Sequence, residues 1–438
     1  MSAAGPSNYS FFQIRKPKSG LEVRIEGKVL AFNYYESLYS PMVTGSLVLE
    51  DTGGSVEDEK TGILGTIKDG MKISGFEEVS FQISTRYGEL NFKNYPLIVT
   101  GSPSNFDLPN RQTILLNMVS KTKIDSSKKP LTRNYPEAPI SETITKILNK
   151  ELKISEDKLN IEKTKNQDKI KGNHLGALDC ILKMCKKSIP AEGKDPGYFF
   201  YETQDGHNFR SIDGLIKKGI EDFDNEEYAK MHTYYYFGSI AAKLEDENGN
   251  DFKVLTTPNV IRDEDQLKAL RTGLYNVRII TKNSLTGEYK EEIKNLLSNV
   301  NLGEKQEKVV DDKDYLKTYS FHISPGADDP GVSDTILNNP ADYVPQSNMR
   351  YSLLHSQVVQ IQVPCNVQLK AGEVIKLYLE NITQSNKNEQ IYNNLRSGFY
   401  LIKDLCHAFS PTNSYTSLTL LRDTRELYRS SKWKIHQT

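Results

Sequence analysis

The sequence has 438 residues, with 56 basic and 57 acidic side chains and a formal net charge of −1, a balance that excludes a surface built throughout to coat nucleic acid or anionic membrane. Four cysteines, none in a C-x-x-C pair, exclude a disulfide scaffold and offer no structural zinc spacing. No apolar run reaches membrane-spanning length and the first residues do not read as a secretory signal, so a reduced, soluble protein of about two to four domains is expected.

Residues 1–20 are polar, with Pro6, Pro17 and Gly20, and read as an N-terminal arm. From there the pattern has period two. Leu21, Val23 and Ile25 alternate with charged residues, and Val79, Phe81 and Ile83 with polar ones. Residues 29–32, 45–50, 95–100 and 113–119 add further short strands between Gly, Pro, Asp and Asn turns. Such a series predicts an antiparallel sheet curled into a barrel or sandwich over residues 21–122.

Residues 123–227 read as an inserted α/β module. Ile144, Ile147, Leu148 and Leu152 form a helical stripe opened by Ser141. Leu178, Ile181, Leu182 and Cys185 form a second stripe, with Cys180 and Cys185 expected to face the core. Two aromatic-rich segments around Asp205-Gly206 predict a hairpin. Residues 228–438 return to strands, with a loop-rich stretch at 298–350 and a helical segment at 265–270. Val359, Ile361 and Val363, then Ile375, Leu377 and Leu379, alternate with polar neighbours. Two closing strands follow near residues 399–402 and 417–421.

The two β regions end alike. Leu97-Ile98, Ser102-Pro103-Ser104-Asn105 and a Thr-led strand at 113–116 are matched by Leu401-Ile402, Ser410-Pro411-Thr412-Asn413 and a Thr-led strand at 419–421. The segments 68–73 and 370–375 also correspond in order, each a basic turn, a Gly and an apolar strand. This pattern suggests a repeated unit.

A search for chemistry finds no site. The seven His (174, 207, 232, 322, 355, 407 and 436) form no H-E-x-x-H or H-x-H pair. His207 falls in the hairpin turn and is expected to be solvated. Cys406 and His407 are adjacent on a strand and should point to opposite faces, which disfavours a dyad. No nucleophile elbow, phosphate loop or dinucleotide fingerprint occurs, and Thr52-Gly53-Gly54-Ser55 lacks the Lys and helix of a phosphate site. The pairs Asp311-Asp312 and Asp328-Asp329 lack calcium-loop spacing, and the basic run 121–133 lacks interleaved aromatics. No catalytic, cofactor or metal residue is assigned, and no cofactor is expected.

The whole arrangement resembles the baseplate central hub proteins of contractile-tailed, T-even-type bacteriophages. The likeness is carried by the closing strands of residues 397–424 with His407 at their turn, by residues 177–215, and by residues 270–289. It covers roughly residues 20–425. It implies a mainly β fold with an α+β insertion: two related antiparallel β-barrels plus a small α/β module, forming a ring. The implied divisions are an arm (1–20), a first barrel (21–122), the module (123–227) and a second barrel (228–438). The resemblance further implies a homotrimer whose six barrels make a pseudo-sixfold ring. That ring would adapt a sixfold tail tube protein to a separate threefold central spike protein, among neighbouring baseplate proteins. Phage DNA would pass its channel without specific binding, which a near-neutral or acidic lining permits. Such a protein sits in the virion tail after assembly in the host bacterial cytoplasm and needs no catalytic residue. The competing expectation is a tail-associated peptidoglycan hydrolase with its active part in the 123–227 module. The 24 Tyr against 1 Trp suit half-buried strands and subunit contacts.

Overall fold

The computed structural model describes residues 6–422 except 55, 58–63, 109–110, 193–194, 237–251, 264–270, 272–275, 284–286, 297–316, 324–339 and 380–395. The expected helix at 265–270 and the pairs Asp311-Asp312 and Asp328-Asp329 lie outside these residues.

The first lobe contains, among shorter elements, β1 (Asn8–Arg15), β2 (Val29–Ser37), β3 (Thr44–Asp51), β4 (Glu78–Thr85), β5 (Leu97–Gly101), β6 (Ser104–Leu108) and β7 (Arg111–Ser120). Alternation decides which face is inward: Phe12 and Ile14 of β1, Phe32 and Tyr34 of β2, and Val79, Phe81 and Ile83 of β4 are all fully buried or nearly so. Phe32 and Phe81 meet with ring centroids 4.7 Å apart, and Phe81 stacks on Phe92 at 4.9 Å. Each such ring contributes about 1.5–3 kcal/mol by burial. The expected arm is corrected here: residues 8–15 pair with β4 as a strand of the sheet.

The basic stretch after β7 opens as helix α1 (Lys121–Lys128). The module then comprises β8 (Asn134–Pro139), α2 (Ile140–Lys150), β9 (Leu159–Ile161), β10 (Gln167–Lys171), α3 (Ala177–Cys185), β11 (Tyr198–Thr203), β12 (Gly206–Ser211), α4 (Ile212–Asp222) and α5 (Glu226–Met231). Its core gathers Ile144, Ile147 and Leu148 of α2, Leu178 and Ile181 of α3, and Phe200 and Phe209 of the β11–β12 hairpin. Cys180 and Cys185 are buried in that core, as their positions on the stripe require.

The second lobe contains β13 (Thr233–Tyr236), β14 (Asn259–Arg262), β15 (Asn276–Asn283), β16 (Tyr289–Asn295), β17 (Lys317–Ile323), α6 (Pro340–Leu354), β18 (Gln357–Pro364), β19 (Val374–Leu379), β20 (Gly398–Phe409) and β21 (Tyr415–Arg422). The expected loop-rich stretch 298–350 thus holds β17 and most of α6. Met349 and Leu353 of that helix pack on Val277 and Ile279 of β15.

The repeat is present, in a register different from the one composition suggests. In the first lobe the ladders run β2–β3–β7–β5–β4; in the second they run β14–β18–β21–β20–β19. All eight of these ladders are antiparallel. Val79 faces Leu97 as Ile375 faces Tyr400, and Glu78 faces Ile98 as Val374 faces Leu401. Both units carry a bulge at the same point: β5–β7 steps from Val99–Met118 to Gly101–Asn117, and β20–β21 steps from Ile402–Leu420 to Asp404–Thr419. The preceding turns also coincide. Val99 accepts from Phe76 N–H and donates to the Glu77 carbonyl; Ile402 accepts from Gly372 N–H and donates to the Glu373 carbonyl. Residues 74–77, not 68–73, are therefore the counterpart of the 370–373 turn.

Among the described residues the ladders do not close either unit into a barrel. Instead β2 pairs with the second half of β20, from Ser37–Asp404 to Phe32–Phe409, and joins both lobes in one 15-stranded sheet. The fold is mainly β, with large antiparallel ladders and an α+β insertion.

Candidate functional site

The side chains that hold module and lobes together centre on Glu36 of β2. Period two puts it on the same inward face as Phe32 and Tyr34, so a carboxylate points where an apolar group would be expected. It is 2 % exposed. One oxygen accepts from the Tyr34 hydroxyl and from the Gln204 N–H of the hairpin turn, both at 2.8 Å. The other accepts from Ala371 N–H of the second lobe at 2.9 Å. One side chain thereby ties together all three parts of the chain. Burial pushes its carboxyl up to about 7, against the lowering effect of these three donors.

Around it the hairpin turn is fastened on both sides. Glu202 accepts from Val43 N–H at 3.0 Å, and Gln204 donates its side-chain amide to the Val367 carbonyl at 2.8 Å. Lys370 pairs with Asp205 at 2.6 Å. Gly206, at φ +135°, provides the backbone that the Asp-Gly turn needs. Gly372, at φ +88°, lies against the Tyr201 ring, where a Cβ would run into the phenol.

Placed on this frame, the sequence-level candidates separate. His207 is not solvated: it is 3 % exposed, stacks on Phe200, and lies 3.2 Å from the Thr122 hydroxyl and 3.4 Å from Glu202. Burial lowers its affinity for a proton, which Glu202 partly restores. His407 stacks on Tyr34 and has Nδ1 2.9 Å from Thr416 Oγ1, while its neighbour Cys406 interacts with Tyr35 on the opposite face. Burial holds His407 neutral, down to about 4, and the Cys406 thiol protonated, up to about 11. Cys185 and Cys365 are each pushed up to about 12 by burial. These thiols are packing groups, not activated nucleophiles.

Within the module, Glu162 accepts from Ser211 N–H at 2.9 Å and Ser211 Oγ at 2.7 Å, fixing the start of α4. Asp213 of α4 accepts from Arg350 Nε of α6 at 2.7 Å and so ties the module to the second lobe. A cleft of about 620 Å³ lies between module, β14, β17 and α6. Tyr39, Phe199, Lys186, Arg262, Lys317 and His355 are among its walls. No Asp or Glu is among its described lining residues, so the paired carboxylates of glycoside hydrolysis do not converge there. Among the described residues no three His, Cys, Asp or Glu side chains converge as metal ligands, and no helix is long and apolar enough to cross a membrane.

In the sequence the 370–373 turn and the hairpin turn at Gln204 are visible only as turns, and nothing there assigns Glu36, Glu202 or Gln204 to the junction. Glu36 alone left a signal, a charge in phase with an inward-facing stripe.

No family model matches the chain, and no curated protein matches it in sequence. Solved structures do. The tail protein from Neisseria meningitidis MC58 superposes with a TM-score of 0.53 over 97 % of this chain and 98 % of its own, at 8 % identity. The 43 kDa tail protein of prophage MuSo2 from Shewanella oneidensis gives 0.49 at 9 % identity, over 95 % and 100 % of the two chains. A prophage tail protein from Listeria monocytogenes EGD-e gives 0.45 at 7 % identity, over 95 % of each. The chain shares the fold of the Neisseria tail protein along almost its whole length.

Proposed function

We propose that this chain is a structural hub of a phage-type tail baseplate. The observation that carries the reading is the doubled five-strand unit, matched in ladder order, register and bulge, within a chain that has a tail-protein fold. Duplicated lobes let a trimer present six similar units, and so match a sixfold tube on one side and a threefold spike on the other. The division near residues 122 and 227 goes with this reading, with the module as a brace between lobes. Its partners are two further copies of itself, a tube protein, a spike protein and neighbouring baseplate proteins, and its place is the virion tail. DNA passes the ring without specific contacts, in keeping with the net charge of −1.

The test is the mass of the purified chain by light scattering, alone and mixed with its tail neighbours. A threefold mass is expected in at least the mixture. A monomer in both, at high micromolar concentration, overturns the hub. A lytic zone made by the pure chain in a peptidoglycan gel overturns a purely structural role.

A further inference from the structure

The lobes already pair with each other inside one chain, through the edge of β2 and the second half of β20. In register, Tyr34 faces His407 and Asn33 faces Ala408. The repeat supplies the counterpart of each edge in the other lobe. Tyr34 faces Gly45 and Gly45 shares its β7 neighbour Met118; Val260 faces Val359 and Val359 shares its β21 neighbour Leu420. Met118 and Leu420 are equivalent by the common bulge, so Val260 stands in the second lobe where Tyr34 stands in the first, and Asn259 where Asn33 stands. Likewise Ser104 faces Ile114 and Asn105 faces Thr113, just as His407 faces Thr416 and Ala408 faces Tyr415. Ser104 and Asn105 are thus the first-lobe counterparts of His407 and Ala408.

Among the described residues both counterpart edges are open. Among the described residues β14 has a ladder only with β18, and β6 only with β7. The β14 edge also carries Ile261, 54 % exposed beside a bulge. A row of unpaired N–H and C=O groups is a template for another strand. The two edges are complementary because each repeats one half of a ladder that already exists.

We infer that β14 of one copy of this chain pairs antiparallel with β6 of the next, Val260 opposite Ser104 and Asn259 opposite Asn105. The contact repeats the β2–β20 ladder between chains. It is short, because Pro103 precedes β6 and has no N–H to give. Such a head-to-tail contact closes into a ring when its rotation permits. The inference rests on the trimeric ring reading and names the edges that form it.

The test uses the full chain with two cysteine pairs, Ser104→Cys with Val260→Cys and Asn105→Cys with Asn259→Cys. Facing residues of an antiparallel ladder lie on one face, with Cβ atoms about 4.5–5.5 Å apart and closest in non-hydrogen-bonded pairs. A slip of one residue puts them on opposite faces. Asn105→Cys with Val260→Cys is therefore the out-of-register control. The expected result on oxidation is a covalent trimer on a non-reducing gel from at least one in-register pair, several-fold above the control. A threefold mass in solution with no in-register crosslink, or with a crosslinked monomer, overturns the ladder and leaves the ring. A monomeric mass under all conditions overturns both.

Discussion

The turn before β4 and the turn before β19 meet the same hydrogen-bonding demand with different residues. In both, a left-handed residue donates to the strand behind it, and the glutamate that follows it accepts from N–H groups two or three positions earlier in the turn. Phe76 has φ +70° and Gly372 +88°. Glu77 accepts from Ser74 and Gly75 N–H at 3.0 and 2.9 Å, and Glu373 from Lys370 N–H at 3.0 Å. Yet Phe76 is 60 % exposed, whereas Gly372 is pressed against Tyr201 of the module. One framework is used twice, and the second copy is loaded with the module. The first copy accommodates a bulky residue in a conformation that favours glycine because the module meets Phe76 with the flexible Lys128 side chain, over an exposed ring, and not with a buried tyrosine.

The most damaging way to break that asymmetry is to cut the tie between module and lobes. Glu36→Ala leaves two backbone N–H groups and the Tyr34 hydroxyl without their acceptor in a buried place. A loss of about 3–5 kcal/mol is expected, read from the urea midpoint. Gly372→Ala comes next. A Cβ there must displace a buried tyrosine and hold a left-handed backbone, for about 2–4 kcal/mol. If Gly372→Ala unfolds at the wild-type midpoint, the close approach of module and lobe is wrong.

A third effect depends on pH. The Glu36 carboxyl has its folded value raised to about 7, against about 4.3 in an unfolded chain. Between those values the folded state binds the extra proton, so this group's contribution is full below about pH 4.3 and lost as pH rises through 7. His407 acts in the opposite sense. With its folded value lowered to about 4, its contribution is present above about 6.5 and lost as pH falls. Glu36→Gln removes the first dependence only. Its stability relative to wild type should improve by about 1–3 kcal/mol between pH 5 and pH 8. Equal pH dependence in the two proteins would show that Glu36 is ionised throughout that range.

The strands of alternating pattern were legible because their inward residues recur at period two, as in Val79, Phe81 and Ile83. The repeat was legible in order but not in register. Turn composition can suggest a correspondence, whereas register depends on bonds between segments tens to hundreds of residues apart, such as Gly372 to Ile402 and Phe32 to Phe409. β1 was hidden because Phe11 breaks the alternation that Phe12 and Ile14 belong to, and the strand exists by pairing with β4. α6 was hidden by its internal Pro345 and mixed polarity; Met349, Leu353 and the buried Arg350 anchor it through contacts with distant elements. The junction itself was almost invisible. Its donors are mostly backbone N–H groups, which every sequence has.

The smallest expected effect bears most directly on why the two turns differ. Phe76 holds a backbone conformation that costs a non-glycine residue about 1–2 kcal/mol. Its ring has one local compensation, Lys128 Nζ 5.3 Å above it, a contact worth about 0.5–1 kcal/mol at an exposed site. Phe76→Gly relieves the first and forfeits the second, while adding freedom to the unfolded chain. The net for the isolated chain should lie within about 1 kcal/mol of zero. Phe76→Gly should therefore leave the urea midpoint nearly unchanged, whereas the matched Gly372→Ala lowers it clearly. A loss above about 2 kcal/mol from Phe76→Gly would mean that the ring packs against its own lobe, and that the difference between the turns does not follow from the tight packing of the module's Tyr201 against only one of them.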